Sequence, residues 1–321
     1  MSFAWSRFVS RKRGTATVPE PQEGSVHRAG FVSIVGRPNA GKSTLLNALV
    51  GDKVAIISGK PQTTRTAIQG VLTRPDAQVV FLDTPGIHKA GSLLNRRMMD
   101  SLHAALEERD LLIFIADSTT GFTTEDAHAL DMIRKQGTPS ILALNKIDQL
   151  ESKQQLLPLL EKYRELYDFA EYIPISAARG ENVQRLLDLV IARLPENPAF
   201  FPEDYITDQP ERFLAAELIR EKILEATRQE VPHAVAVMIE KWEEDGRLTR
   251  IAATILVERA GQKAIIIGAK GAMLKEVGTL ARQEMERLLN RKIFLELFVK
   301  VEPGWRENPQ MVAAVDWRGE I

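Results

Sequence analysis

The segment that most limits what this chain can fold into is a turn. The apolar run "FVSIV" (31–35) breaks into "GRPNAGKST" (36–44). Following a strand and opening a helix, this is the phosphate-loop pattern G-x-x-x-x-G-K-[ST]. Gly36 and Gly41 let successive N–H groups curl round an anion with no Cβ in the way, and the helix N-terminus adds partial positive charge. The expected cradle is Gly36, Arg37, Pro38, Asn39, Ala40, Gly41, Lys42, Ser43 and Thr44. Lys42 is placed to meet β- and γ-phosphates as a point charge, and the Ser43 hydroxyl to ligate Mg²⁺.

The surroundings set the fold class. Short apolar runs at 31–35, 79–82, 111–116, 141–144 and 172–175 alternate with amphipathic stretches near 43–50, 95–108, 123–136, 153–167 and 182–193. That alternation predicts an α/β domain with a doubly wound, mostly parallel sheet over 27–195. "LPENPAFFPEDYITDQP" (194–210) has four prolines and no evident helical or strand period, so a linker is expected over 196–210. Beyond it the pattern reads helix, strand, strand, helix, helix, strand over 211–303. The last of the three helices is long and expected over 271–289, the strand pair is joined through "EEDG", and 304–321 form a tail.

Three more motifs follow the phosphate loop in order. "VVFLDTPG" (79–86) ends a strand with Asp83, placed to hold Mg²⁺ through a water; Thr84, Pro85 and Gly86 continue the site, and the Gly86 N–H faces a γ-phosphate. "LALNKID" (142–148) brings Asn145, Lys146 and Asp148 to the carboxyl end of another strand, and "PISAARG" (174–180) brings Ser176 and Ala177 to the same edge. One carboxylate accepts together from N1–H and the N2 amino group of guanine, whereas adenine would leave Asp148 half unpaired. Guanine is therefore the base, with a discrimination on the order of thousandfold or more. Lys146 is expected along base and ribose, and the Ala177 N–H at guanine O6. In "PQTTRT" (61–66) a threonine, Thr64 ahead of Thr63, would complete the Mg²⁺ shell only with a γ-phosphate present.

Composition excludes other chemistry. Cysteine is absent, which rules out disulfides, thiolate nucleophiles and Cys-ligated metals, and the net charge is −1. No apolar run approaches eighteen residues, so no spanning helix is expected. Residues 1–26 form an extension whose first nineteen residues carry Arg7, Arg11, Lys12 and Arg13 without an acid, interleaved with Phe3, Trp5 and Phe8. This fits a basic arm for RNA or an anionic membrane surface, a transit peptide, or a tail without fixed structure.

With "GRPNAGKST", "PQTTR", "DTPGIH" and "NKID" followed by "IIIGAKG" and "VKVEPGWRENP", the chain over 27–309 resembles the Era family of bacterial Ras-like GTPases. The resemblance implies that the second domain is an α+β type II KH fold. It implies binding of the 3′ end of small-subunit rRNA, assistance to small ribosomal subunit assembly, and a cytoplasmic monomer with a peripheral inner-membrane fraction. It also implies K⁺ held by Asn39. Ile87 stands where Ras-like proteins carry a water-orienting glutamine, so slow turnover is expected; His88 is either a substitute or an exposed loop residue. Catalysis would then rest on Lys42, Asn39, Thr64 and Gly86. Gly268, Ala269, Lys270 and Gly271 would clamp single-stranded RNA, with Lys275 and Arg282 nearby. From Arg259 to Lys292 eight Lys/Arg stand against three Glu, which suits phosphate binding. A tRNA-modifying GTPase would need a C-terminal cysteine motif and a tandem GTPase a second phosphate loop. A nucleotide-binding membrane adaptor without RNA is separated by RNA pulldown against liposome flotation.

The base assignment is testable directly. Asp148→Asn weakens GTP and favours xanthosine triphosphate, whose C2 carbonyl accepts from the new amide. Unchanged GTP affinity in a binding titration would refute the assignment.

Overall fold

The computed structural model describes residues 8–10, 27–60, 62–86, 92–227, 231–232 and 234–316. The basic extension, apart from a short strand, therefore lies outside the described residues, as do Ile87 and His88.

The first domain is a six-stranded sheet in the order β3-β4-β2-β5-β6-β7, formed by β2 (Arg28–Val35), β3 (Ile68–Thr73), β4 (Ala77–Asp83), β5 (Leu111–Asp117), β6 (Ser140–Asn145) and β7 (Glu171–Pro174). All neighbours are parallel except β3 and β4. The sheet is buried on both faces, which explains why its strands read as unbroken apolar runs. Helices α1 (Lys42–Val50) and α5 (Val183–Ile191) cover one face through Leu45, Leu46, Leu186 and Val190. Helices α2 (Leu93–Leu106), α3 (Thr124–Gln136) and α4 (Leu156–Leu166) cover the other through Leu102, Ile133 and Leu159. Local chemistry fixes their ends. Ser92 caps α2, Thr123 and Asp126 form a capping box on α3, and α1 stops at left-handed Gly51.

Several elements were not expected from the sequence. Antiparallel β3, "IQGVLT", carries no run of apolar residues long enough to stand out, and β4 specifies it by pairing. The linker is not irregular throughout: Tyr205–Pro210 is a strand, β8, with Ile206, Thr207 and Gln209 buried, paired antiparallel with β1 (Phe8–Ser10). Thr207 Oγ1 donates to Gln69 O (2.6 Å) and Gln209 Nε2 to Val54 O (2.8 Å), so polar side chains fix the linker to the first domain. The prolines masked its short alternation.

The second domain runs α6 (Glu211–Ala226), β9 (Ala236–Asp245), β10 (Leu248–Val257), α7 (Ala260–Ile267), α8 (Ala272–Leu289) and β11 (Lys292–Val301). The sheet order is β11-β10-β9, with β10 parallel to β11 and antiparallel to β9. Its core packs the three helices onto one sheet face through Leu218, Ile219, Ile223, Ile266, Val277 and Met285. The three consecutive isoleucines before the turn are helical, contrary to their β-branched character, because Ile266 is buried in that core.

Residues after 303 are more than a tail. Trp305 is fully buried, donates from Nε1 to Ala234 O (2.8 Å), and packs with Val312 of α9 (Pro309–Ala314) between Leu94 and Met98 of α2 and Ala236 and Leu256 of the second sheet. It closes a small core between the domains. Among the described residues no helix is long and apolar enough to cross a membrane.

Candidate functional site

Loops from the carboxyl ends of β2, β4, β6 and β7 meet at one edge of the first sheet. That edge is a topological switch point, since the chain leaves β2 toward β4 on one side and β5 lies on the other. Residues 57–60 and 62–64, between α1 and β3, line it as well. The resulting cleft of about 430 Å³ is lined by Pro38, Asn39, Lys42, Ser43, Thr64 and Gly86 among others.

The phosphate loop is preformed. Gly41 has φ +104°, and a Cβ there would lie 2.2 Å from Asn145 Nδ2, so glycine is required on both counts. Lys42 is buried, and its Nζ donates to the carbonyls of Gly36 and Arg37, both at 3.0 Å. Burial lowers its pKa to about 8, against the pull of Asp83. The Arg37 side chain turns away from the cleft: its NH2 lies 3.2 Å from Asp117 and its Nε 3.6 Å from Asp126.

Beside the ammonium three oxygens converge. Ser43 Oγ donates to Asp83 Oδ2 (2.5 Å), Thr64 Oγ1 donates to the same oxygen (3.2 Å), and the two hydroxyls are 2.9 Å apart. Thr63 is committed elsewhere, to Lys60 O (2.7 Å). Asp83 Oδ1 is buried with no hydrogen-bond partner. Burial raises the Asp83 pKa, with Lys42, Ser43 and Thr64 opposing. A buried, incompletely satisfied carboxylate with two hydroxyls is a hard-oxygen donor set that fits Mg²⁺. Asn39 is exposed with φ 62°, and its Nδ2 donates to Gly59 O (3.0 Å), which leaves the amide oxygen for a cation.

The base loops are held by one amide. Asn145 Nδ2 donates to Ala40 O (2.8 Å) and its Oδ1 accepts from Ala177 N (2.9 Å). The Ala177 N–H, expected at guanine O6, is therefore committed to Asn145, because the loop after β7 must itself be anchored. Lys146 has φ 68° and its Nζ donates to Asp117 Oδ2 (2.6 Å). Asp148 Oδ1 accepts from Ser176 Oγ (2.6 Å), so Ser176 orients the base-reading carboxylate. Thr84 is a brace, buried and donating to Ile34 O (2.8 Å), with Pro85 buried beside it. Thr44 lines the cleft.

In the second domain Gly268 to Gly271 form the turn between α7 and α8, with Ala269 and Lys270 exposed. Lys270 is in the left-handed region (φ 53°), and a Cβ on Gly268 (φ 71°) would lie 2.8 Å from that of Met273. Lys275 is exposed, whereas Arg282 pairs with Glu286 at 3.0 Å.

Sequence reasoning missed the contact between the domains. Arg220 of α6, 1% exposed, donates to the carbonyls of Thr63 and, at 3.4 Å, Gln62. Its neighbour Glu221 accepts from Ile57 N (2.7 Å) and from Lys53 Nζ (2.6 Å). Arg65 enters the second domain, donating to Val235 O (2.9 Å) with its guanidinium 5.7 Å from the Trp305 ring. The segment carrying Thr64 is thus gripped at both ends by α6. No local signal marks Arg220 or Glu221, which read as surface charges of an amphipathic helix.

The Lys42 environment sets a pH dependence. Unliganded, its ammonium loses the proton around pH 8, and bound phosphates favour the charged form and raise that value. Binding therefore takes up a proton above pH 8, and guanine nucleotide affinity falls as pH rises beyond it, by up to about tenfold per unit. Calorimetric GDP titrations at pH 7.5 and 9, in wild type and Lys42→Arg, check this: the slope is present in the first and absent in the second.

Comparison with known proteins agrees with this geometry. A family described as 50S ribosome-binding GTPase matches residues 31–146, and the KH domain family matches residues 230–306. GTPase Era of Trichlorobacter lovleyi is 50% identical over 289 residues, covering 90% of this chain and 97% of that protein. GTPase Era of Geobacter metallireducens is 50% identical over 287 residues, 89% and 96% of the two chains. Among solved structures, an Aquifex aeolicus Era variant bound to GDP and AlF4⁻ superimposes with a TM-score of 0.87 at 42% identity, covering 90% of this chain and 99% of that one. Era in complex with MgGDPNP and nucleotides 1506–1542 of 16S ribosomal RNA gives 0.88 at 42% identity, with the same coverage. With a phosphate loop, a guanine-reading carboxylate and a KH fold in one chain, and this identity along nine-tenths of its length, the protein belongs to the Era family and is a GTPase.

Proposed function

We propose that this GTPase is a Mg²⁺-dependent switch that controls RNA binding by its own KH domain, with the 3′ end of small-subunit rRNA as ligand and small ribosomal subunit assembly as the process served. The observation that carries the reading is the double grip on the segment from Ile57 to Thr64: Thr64 Oγ1 reaches Asp83 while Arg220 and Glu221 of the KH domain hold Thr63 O and Ile57 N. The related Era structure with MgGDPNP and a 16S rRNA fragment supports both ligands. Bound Mg²⁺ supplies positive charge to the β- and γ-phosphates. Lys42 adds a second charge at the phosphates, Asp83 anchors the Ser43 and Thr64 hydroxyls, and Asp148 with Ser176 reads the base. The reading extends to a cytoplasmic monomer with a peripheral fraction on anionic inner membrane.

RNA binding is assigned to the turn at Gly268–Gly271. Replacing Ala269 and Lys270 with aspartate puts two negative charges beside the RNA backbone and leaves both glycines in place. RNA affinity then falls at least about tenfold while GTP affinity stays at the wild-type value; filter binding of a 16S rRNA 3′-end oligonucleotide at two salt concentrations decides it. Equal RNA affinity in the two proteins removes this turn as the RNA site.

Hydrolysis draws on K⁺ at Asn39. The transition state spreads negative charge over the transferred phosphoryl group, and the Asn39 amide oxygen, with phosphate oxygens, forms a site for a monovalent cation. Single-turnover GTP hydrolysis is faster in KCl than in NaCl, and Asn39→Ala loses the difference. Equal rates in the two salts for wild type exclude the cation.

A further inference from the structure

Asp117 lies at the end of β5, outside every nucleotide motif, yet it stands where three parts of the site meet. Its Oδ1 accepts from Thr119 N (2.9 Å) and Thr119 Oγ1 (2.6 Å). Its Oδ2 accepts from Lys146 Nζ (2.6 Å) and lies 3.2 Å from Arg37 NH2. The carboxylate is 6% exposed and Lys146 is 25% exposed, so the acid is fixed and the lysine has room to move. On the far side, Arg37 Nε lies 3.6 Å from Asp126 Oδ1, in the capping box of α3. The result is a line of alternating charge, Asp126, Arg37, Asp117, Lys146, running from α3 through the phosphate loop to the base loop.

We infer that Asp117 is a positioning residue for guanine nucleotide binding: it holds the Lys146 ammonium so that the lysine stem is already laid along the base site before nucleotide arrives. Lys146 is long and flexible, and a free lysine would have to be ordered on binding. The Thr119 bonds fix Asp117 without help from Lys146, and Arg37 balances its charge, so the acid acts as a rigid anchor. Burial pulls the Asp117 pKa up, and the bonds from Lys146 and Thr119 outweigh this and keep it below the usual carboxylate value, so the anchor stays charged. The inference rests on the guanine-nucleotide reading of Lys146 and Asp148.

The test is release of a fluorescent GDP analogue from the full chain, in a double-mutant cycle of Asp117→Asn and Lys146→Ala. Asparagine keeps an oxygen for Thr119 and loses the charge that holds the lysine. The single Asp117→Asn change is expected to speed release by about tenfold, the scale of a charge-assisted hydrogen bond. In the Lys146→Ala background the same change is expected to alter release by no more than about twofold, because its target is gone. A purely structural role for Asp117 predicts the same factor in both backgrounds; that result, or release within twofold of wild type in the single variant, overturns the inference. Asp117→Ser, which also keeps an oxygen near Thr119, is the second variant should the first not fold. Failure of wild type to bind the analogue would instead remove the guanine reading itself.

Discussion

The site is organised around one buried carboxylate. Asp83 ends strand β4, is fully buried, and has one oxygen without a partner. A buried anion left uncompensated is costly, and the surrounding groups answer to that cost. Lys42 supplies charge from the phosphate loop, Ser43 and Thr64 supply hydroxyls to one oxygen, and the other oxygen is left for a further partner. Lys42 is drawn into the same buried environment and loses part of its own hold on its proton. Neither ion is well satisfied by protein alone, and phosphate with a cation completes both. Affinity for nucleotide thus originates in groups the fold leaves deliberately short of partners.

Through Thr64 the same carboxylate touches the segment that the second domain holds. Residues 57–60 and 62–64 line the cleft with few apolar anchors, and Ile57 is among the exposed hydrophobic residues. Their order comes from ends tied to α6, where Arg220 and Glu221 are consecutive and of opposite charge. Adjacent helical residues point about 100° apart, so one holds carbonyls at Gln62 and Thr63 while the other holds the Ile57 N–H. Glu221 is joined through Lys53 and Lys222 to Glu284 on α8, the helix that follows the Gly-x-x-Gly turn. Polar contacts therefore run from the segment that carries Thr64 to α8.

What the sequence makes legible follows from range. The phosphate loop, the Asp83 strand, the Asn-Lys-x-Asp loop and the Gly-x-x-Gly turn are local patterns whose backbone requirements are met within a few residues. Gly41 and Lys270, with positive φ, sit where those patterns place them. Strand β3 was hidden because "IQGVLT" derives its structure from β4, and β8 because its alternation is six residues long and bounded by prolines. The Ala177 N–H was assigned to the base because a sequence does not say which loop needs anchoring; in the structure Asn145 takes it. Arg220, Glu221, Asp117 and Trp305 act across 29 to more than 150 positions of chain, and their types alone fit ordinary surface or core roles.

Holding one segment from two domains has a thermodynamic consequence independent of which state is more populated. If γ-phosphate favours the position of Thr64 seen here, then it also favours the backbone geometry at Ile57, Gln62 and Thr63 that α6 requires. By linkage, docking of α6 must favour γ-phosphate by the same free energy. The coupling is limited by what the tie can transmit, and here the tie is short: Thr63, held by Arg220, is adjacent to Thr64, held by Asp83. One peptide unit separates a contact made by the RNA-binding domain from a contact made by the nucleotide site. Little of the displacement at one can be absorbed by rotation before it reaches the other, since a single planar peptide leaves only the flanking φ and ψ to adjust. A shift of α6 would therefore reach the hydroxyl of Thr64 and the carboxylate of Asp83 directly, without a signal having to cross the core of either domain.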